Sequence, residues 1–96
     1  MTLKIDTLEI EDRNLIGFGV DHDASVYFRG RALDDEGKNI CEQLLKFKKG
    51  STVEVILKRD HDTKQGFYEV VEIEIPPREE KDRIIYRFSG RLKPVY

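Results

Sequence analysis

Apolar and polar residues alternate along most of this chain, and the alternation changes period once. Leu3 and Ile5, then Leu8 and Ile10, keep a two-residue rhythm whose phase slips near Thr7. The slip predicts a bulge or bend within one strand, residues 3–10. Glu11-Asp12-Arg13-Asn14 is a polar turn. In Leu15–Val20, Ile16, Phe18 and Val20 share one face, and Gly17 and Gly19 share the other, where small residues admit a bend or a close neighbour. After the turn Asp21-His22-Asp23, Val26–Leu33 alternates cleanly. Val26, Phe28, Gly30 and Ala32 point one way; Tyr27, Arg29 and Arg31 point the other.

The period then lengthens. Asp34 to Lys38 reads as a charged loop. Asn39 suits a helix N-cap, with Glu42 three residues on to complete a capping box. Ile40, Leu44 and Phe47 form an apolar stripe that Cys41 and Leu45 widen. Lys46, Lys48 and Lys49 suit the last turn's dipole, and Gly50 is a stop. One helix over 39–49 is predicted.

Beyond it the two-residue period returns. Val53, Val55 and Leu57 face one way, and Glu54, Ile56 and Lys58 the other. Asp60 to Gly66 reads as a polar hairpin loop. Residues 67–75 follow, with Val71, Ile73 and Ile75 inward and Tyr68, Glu72 and Glu74 outward. Pro76-Pro77 ends that strand, because proline has no ladder donor. Arg78 to Asp82 is a charged loop. Ile84, Tyr86, Phe88 and Leu92 mark a last strand, with Arg87, Arg91 and Lys93 opposite. Tyr27-Phe28-Arg29-Gly30-Arg31-Ala32-Leu33 is echoed by Tyr86-Arg87-Phe88-Ser89-Gly90-Arg91-Leu92. The echo suggests two equivalent strands that pair, or two edges that serve one partner.

A three-strand meander, a helix and a hairpin, with an extra C-terminal strand, is the order of an OB-fold. The expected fold is therefore mainly β: a small OB-fold-like β-barrel of five to six strands. Its one short helix lies between the third and fourth strands, and residues 1–96 form a single domain. A small sandwich or an SH3-like barrel is the rival architecture.

Composition narrows the function. The 96 residues include 29 Leu, Ile, Val and Phe, enough for one modest core. Lys and Arg number 17 against 19 Asp and Glu, a net charge of −2. This excludes a strongly basic nucleic-acid binder but leaves room for a local cationic patch. The apolar runs are too short to span a membrane, and Met1 to Asp12 has no signal-peptide core. Cys41 is the only cysteine, which excludes an intrachain disulfide and fits a reducing, cytoplasmic setting.

Two stretches resemble bacterial-type single-stranded DNA-binding proteins. One is Val26-Tyr27-Phe28-Arg29-Gly30-Arg31-Ala32, a strand with an aromatic-glycine-basic ending. The other is Leu45-Lys46-Phe47-Lys48-Lys49-Gly50-Ser51-Thr52-Val53-Glu54-Val55, a basic helix end running into a valine-rich strand. Gln65-Gly66-Phe67-Tyr68-Glu69-Val70 resembles the strand that follows that family's long hairpin. The resemblance covers roughly residues 26–75 and implies an OB-fold that binds single-stranded DNA. That family stacks bases on tryptophan, and this chain has none. It also ends in an acidic tip that recruits partners, whereas this chain ends Leu92-Lys93-Pro94-Val95-Tyr96, so partner recruitment by a tail is not implied.

Binding a single strand needs flat aromatic faces for bases and cations along the backbone. Tyr27, Arg29, Arg31, Phe67 and Tyr68 are candidates to stack and clamp. Lys64, Arg87 and Arg91 are candidates to meet phosphates, with Arg59 nearby in the hairpin. If the rows Tyr27-Arg29-Arg31 and Arg87-Ser89-Arg91-Lys93 share a face, they make one cationic patch. Glu54, Glu72 and Glu74 would repel phosphate, so that face is expected to lie away from them. The bland alternative is a pair of ordinary solvated strand faces. Asp21-His22-Asp23 and Asp60-His61-Asp62 could hold a divalent metal only if their turns met. Such tripeptides also serve as simple turns, and no metal site is assigned. No catalytic constellation is visible and no cofactor is implied. Cys41 reads as a buried small hydrophobe. A barrel that docks a protein partner or a second copy of itself is the alternative function.

Overall fold

The computed structural model describes residues 1–95. Tyr96, the last residue of the C-terminal end considered above, lies outside them. The described residues fold as eight strands, one α-helix and one short 3-10 turn. The strands are β1 (Thr2–Ile5), β2 (Leu8–Glu11), β3 (Leu15–Val20), β4 (Val26–Leu33), β5 (Thr52–Arg59), β6 (Asp62–Glu74), β7 (Glu79–Glu80) and β8 (Ile84–Pro94). The 3-10 turn is Asp12–Asn14, and α1 is Asp34–Leu44. All pairings are antiparallel, in the order β2-β1-β5-β6-β8-β4-β3, with β7 pairing β8 beside that path. The path is open, with β2 and β3 at its two ends. Among the described residues no helix is long and apolar enough to cross a membrane.

The meander fails at its first link. The slip at Thr7 is a tight hairpin, not a bulge: Asp6 takes φ 52, and β1 turns back as β2. Asp6 then anchors the turn on β5, accepting from the Glu54 amide at 2.8 Å and donating its own amide to the Glu54 carbonyl at 2.8 Å. β1 therefore pairs with β5 and not with β3. The echo of β4 and β8 is a pairing: the two strands run antiparallel from Val26↔Leu92 to Leu33↔Ile85.

The helix starts five residues earlier than its pattern suggests and ends at Leu44. Asp34, Asp35 and Glu36 fill its first turn, where carboxylates meet the positive dipole end. Asp34 takes φ 52 and accepts from the Ile84 amide at 3.4 Å. Ile40, Cys41 and Leu44 are buried as expected, but Leu45 is exposed. Gly37 belongs to the helix, not to a loop. A β-carbon there would come within 2.8 Å of Tyr86, so glycine lets α1 lie close on β8. Gly50 takes φ +88 in the turn that re-enters the sheet, where its amide donates to the Val70 carbonyl at 2.8 Å.

The long hairpin loop is also shorter than predicted. Asp60-His61 is the whole turn, and β6 begins at Asp62. A register shift between Val70 and Glu72 flips the phase of β6. Val70 is buried and Tyr68 packs against the core, reversing the predicted outward Tyr68, while Ile73 and Ile75 point inward as expected.

One face of the sheet and the inner stripe of α1 enclose the core. Phe28 and Phe88 are its largest members, with ring centroids 6.4 Å apart and planes tilted by 52°. Each ring lies over the glycine opposite it. Phe28 pairs with Gly90 and Gly30 with Phe88, and a β-carbon at Gly90 would sit 2.5 Å from the Phe28 ring.

Candidate nucleic-acid interface

The outer face of β4 and β8 carries the cationic rows. The register sets Tyr27 opposite Arg91, Arg29 opposite Ser89, and Arg31 opposite Arg87. Cross-strand partners share a face, so five of the predicted residues form one surface. From Tyr27 to Leu33 it runs about 20 Å at the usual rise of a strand.

Tyr27 owes its position to Gly19. The two are cross-strand partners on β4 and β3, and the phenol ring lies over the glycine. One ring face rests on β3; the residue remains 42% exposed, so the other face is open. Gly17 opposes Arg29 in the same way and leaves room for its guanidinium.

The four arginines differ in their partners. Arg91 pairs with Asp21 at 3.0 Å and Arg87 with Glu79 at 3.0 Å. Arg29 and Arg31 have no carboxylate partner among the described residues. Two shallow clefts follow the face. The first, about 440 Å3, is lined by Tyr27, Arg29, Ser89, Arg91, Glu72 and Glu74 among others. The second, about 530 Å3, gathers Arg31 with Arg13, Arg83 and Glu36. Arg13 and Arg83 extend the cationic band and were missed from sequence. They sit on the 3-10 turn and at the β7–β8 bend, where no alternation marks a face. Arg13 bonds Glu36 at 2.8 Å and Arg83 bonds Asp34 at 2.8 Å.

The expectation that Glu72 and Glu74 lie away from this face is overturned. Glu72 pairs with Arg91 and Glu74 with Ser89, one strand from the arginines. The bulge at Val71 sets both outward. A hydrogen bond between the two carboxyl groups, with their mutual repulsion, raises the pKa of Glu74 above its ordinary value. Glu54 lies a strand further off, on β5.

Phe67 is 60% exposed on the outer side of β6, beside Val95. Arg59, Lys64 and Tyr68 go elsewhere. They line a smaller cavity of about 160 Å3 at the inner mouth of the sheet, with Leu3, Phe18, Val26, Val55 and Leu57. Their inward phase follows from Val53↔Tyr68 and Leu57↔Lys64, whose partners are buried. These three therefore do not join the Tyr27 face.

The first Asp-His-Asp turn has structural work, whereas Asp60-His61 is simply the turn between β5 and β6. Asp21 holds Arg91, and Asp23 accepts from the Ser25 amide at 3.0 Å, which lowers the Asp23 pKa. Among the described residues no group of three or more His, Cys, Asp or Glu could hold a metal ion. Cys41 is buried, and desolvation raises its pKa.

No family model, curated protein or solved structure matches the chain. The functional reading of this face rests on its own chemistry.

Proposed function

We propose that the protein binds single-stranded nucleic acid along the β4–β8 face, without strong sequence preference. The carrying observation is the register Tyr27↔Arg91, Arg29↔Ser89, Arg31↔Arg87, which joins an open aromatic ring to a row of cations. A base stacks on the free side of Tyr27, and Arg29 and Arg31, without carboxylate partners among the described residues, meet the phosphates. Glu72 and Glu74 wall off the β6 side, so the strand's backbone runs over β4 and toward the glycines of β3. We assign this function to an OB-fold-like sheet that departs from the OB order by its central β8, between β4 and β6, and by the β1–β2 hairpin and β7.

The test is fluorescence anisotropy of a labelled thymidine oligonucleotide, titrated at low and moderate salt. Binding that weakens steeply with salt is expected, since each phosphate contact releases counterions. Tyr27→Ala should weaken it by about 1–3 kcal/mol, the usual worth of a base–aromatic stack. Absence of binding at low salt overturns the proposal.

A further inference from the structure

Among the described residues β3 and β2 are the two edge strands that end the main path of the sheet, the two-residue β7 lying beside it. Monomeric proteins guard such edges with charge, proline or brevity. β2, the other edge, is four residues long and exposes Glu9 and Glu11. β3 has six residues and no charge, and its Ile16 and Val20 are 49% and 53% exposed.

The hairpin at its end fixes which backbone groups are free. The Asp21 amide donates to the Ser25 carbonyl at 2.9 Å, and the Ala24 amide to the Asp21 carbonyl at 3.0 Å, with Ala24 at φ 66. Asp21 and Ser25 are thus the hydrogen-bonded pair that closes a three-residue loop. Backbone groups alternate along an antiparallel strand. Those of Gly19 and Gly17 therefore point to Tyr27 and Arg29 on β4, and those of Phe18 and Val20 point to the open edge. The register shift between Leu15 and Gly17 interrupts this phase at Ile16. One unbroken unit remains, Phe18-Gly19-Val20.

We propose that two copies of the chain pair through this unit. The β3 strands run antiparallel about a two-fold axis at Gly19. Phe18 of each copy exchanges backbone hydrogen bonds with Val20 of the other. A two-fold interface needs a surface that matches itself. An uncharged strand does so without like-charge repulsion, whereas β2 would set its own glutamates near one another. A net charge of −2 per chain adds little long-range repulsion. Gly19 has no side chain on the outer face, so the two Tyr27 rings flank the axis. The sheet then continues through both copies. One strand pair covers less than the roughly 1,200–2,000 Å2 of a stable interface, so the dimer forms with concentration.

The test is sedimentation equilibrium of the full chain without nucleic acid, which keeps it independent of the function proposed above. Across protein concentrations from about 1 µM to about 1 mM, which bracket a weak interface, the mass should rise from 11.2 kDa toward twice that value. Val20→Lys and Val20→Pro should stay at the monomer mass with unchanged circular dichroism. The proline removes only an outward N–H; if it unfolds the chain, Val20→Lys alone decides. Hydrogen exchange should slow with concentration at the Phe18 and Val20 amides but not at Gly17 and Gly19. A monomer throughout the range, or a Val20→Lys variant that associates like the parent, overturns the proposal. So does concentration-dependent protection at Gly19 in place of its two neighbours.

Discussion

The phenol ring of Tyr27 occupies the space that a side chain at residue 19 would need. The relationship predicts two different costs for two glycine substitutions. At Gly19 the obstacle is the far end of a side chain that can swing away, so Gly19→Ala should cost no more than about 1 kcal/mol. It should still displace the ring, and so weaken oligonucleotide binding as Tyr27→Ala does. At Gly30 the obstacles are the Asn14 backbone carbonyl and the buried Phe88 ring, neither free to move. Gly30→Ala should cost about 1–3 kcal/mol or more. Urea unfolding midpoints of the two variants separate the cases, and equal costs would contradict the assignment.

The core makes a second prediction. Phe28 and Phe88 touch at a tilted angle and each covers the other strand's glycine. Truncating either to Ala should cost about 3–5 kcal/mol, a large share of the roughly 5–15 kcal/mol that holds a domain together. Leucine is the gentler probe for a double-mutant cycle. The coupling between Phe28→Leu and Phe88→Leu should be about 0.5–1.5 kcal/mol. Additive effects would show that the rings act only through burial.

These residues also show where the sequence was readable. β4 was legible to the residue because one of its faces is buried along its whole length and the other is wet. The pairing of β4 with β8 was visible as an echo, because both strands place a phenylalanine against a glycine. Legibility ended where geometry broke the period. The bulge at Val71 inverted the reading of Tyr68, and the bulge at Ile16 hid how exposed that residue is. The tip of β5–β6 stands clear of the core, so both of its faces are polar and it resembled a loop. The helix start was missed because Asp34-Asp35-Glu36 reads as a charged loop unless the dipole is weighed. Arg13 and Arg83 reach the site from irregular segments, which carry no phase at all.

Two carboxylates should give pH dependence of opposite sign. The Arg83 hydrogen bond, aided by the Ile84 amide, lowers the pKa of Asp34 from its ordinary 3.8. Its stabilisation is complete above that value and is lost as pH falls through the depressed folded value. Asp34→Asn keeps a side chain that tolerates φ 52 and removes the charge. The gap in melting temperature between parent and variant should therefore narrow below pH 3.8. Glu74 runs the other way. Its folded pKa is raised by Glu72, so its contribution is most favourable at low pH and is lost as pH rises through the raised value. Glu74→Gln should be at least as stable as the parent at neutral pH and less stable relative to it in acid. Thermal melts of the three proteins across acid pH read both effects.

Charge reversal on opposite faces of the sheet separates the two groups of cations that the sequence placed together. Arg31 lies on the outer surface beside Arg87, while Arg59 lies at the inner mouth with Lys64 and Tyr68. Neither arginine has a carboxylate partner within ion-pair distance among the described residues, so reversing either breaks no salt bridge. The net charge changes by the same amount in both variants, so general repulsion of the oligonucleotide is matched. If the strand follows the β4–β8 face, Arg31→Glu should weaken binding at least tenfold, about 1.4 kcal/mol. It should also lower the slope of log affinity against log salt by about 0.7 per lost contact on a single strand. Arg59→Glu should show only the smaller loss due to net charge, with the slope intact. Anisotropy titrations at three salt concentrations measure both quantities. Equal losses would mean that the protein attracts the strand by its overall field and not through this face, whereas a larger loss at Arg59 would move the site to the inner mouth.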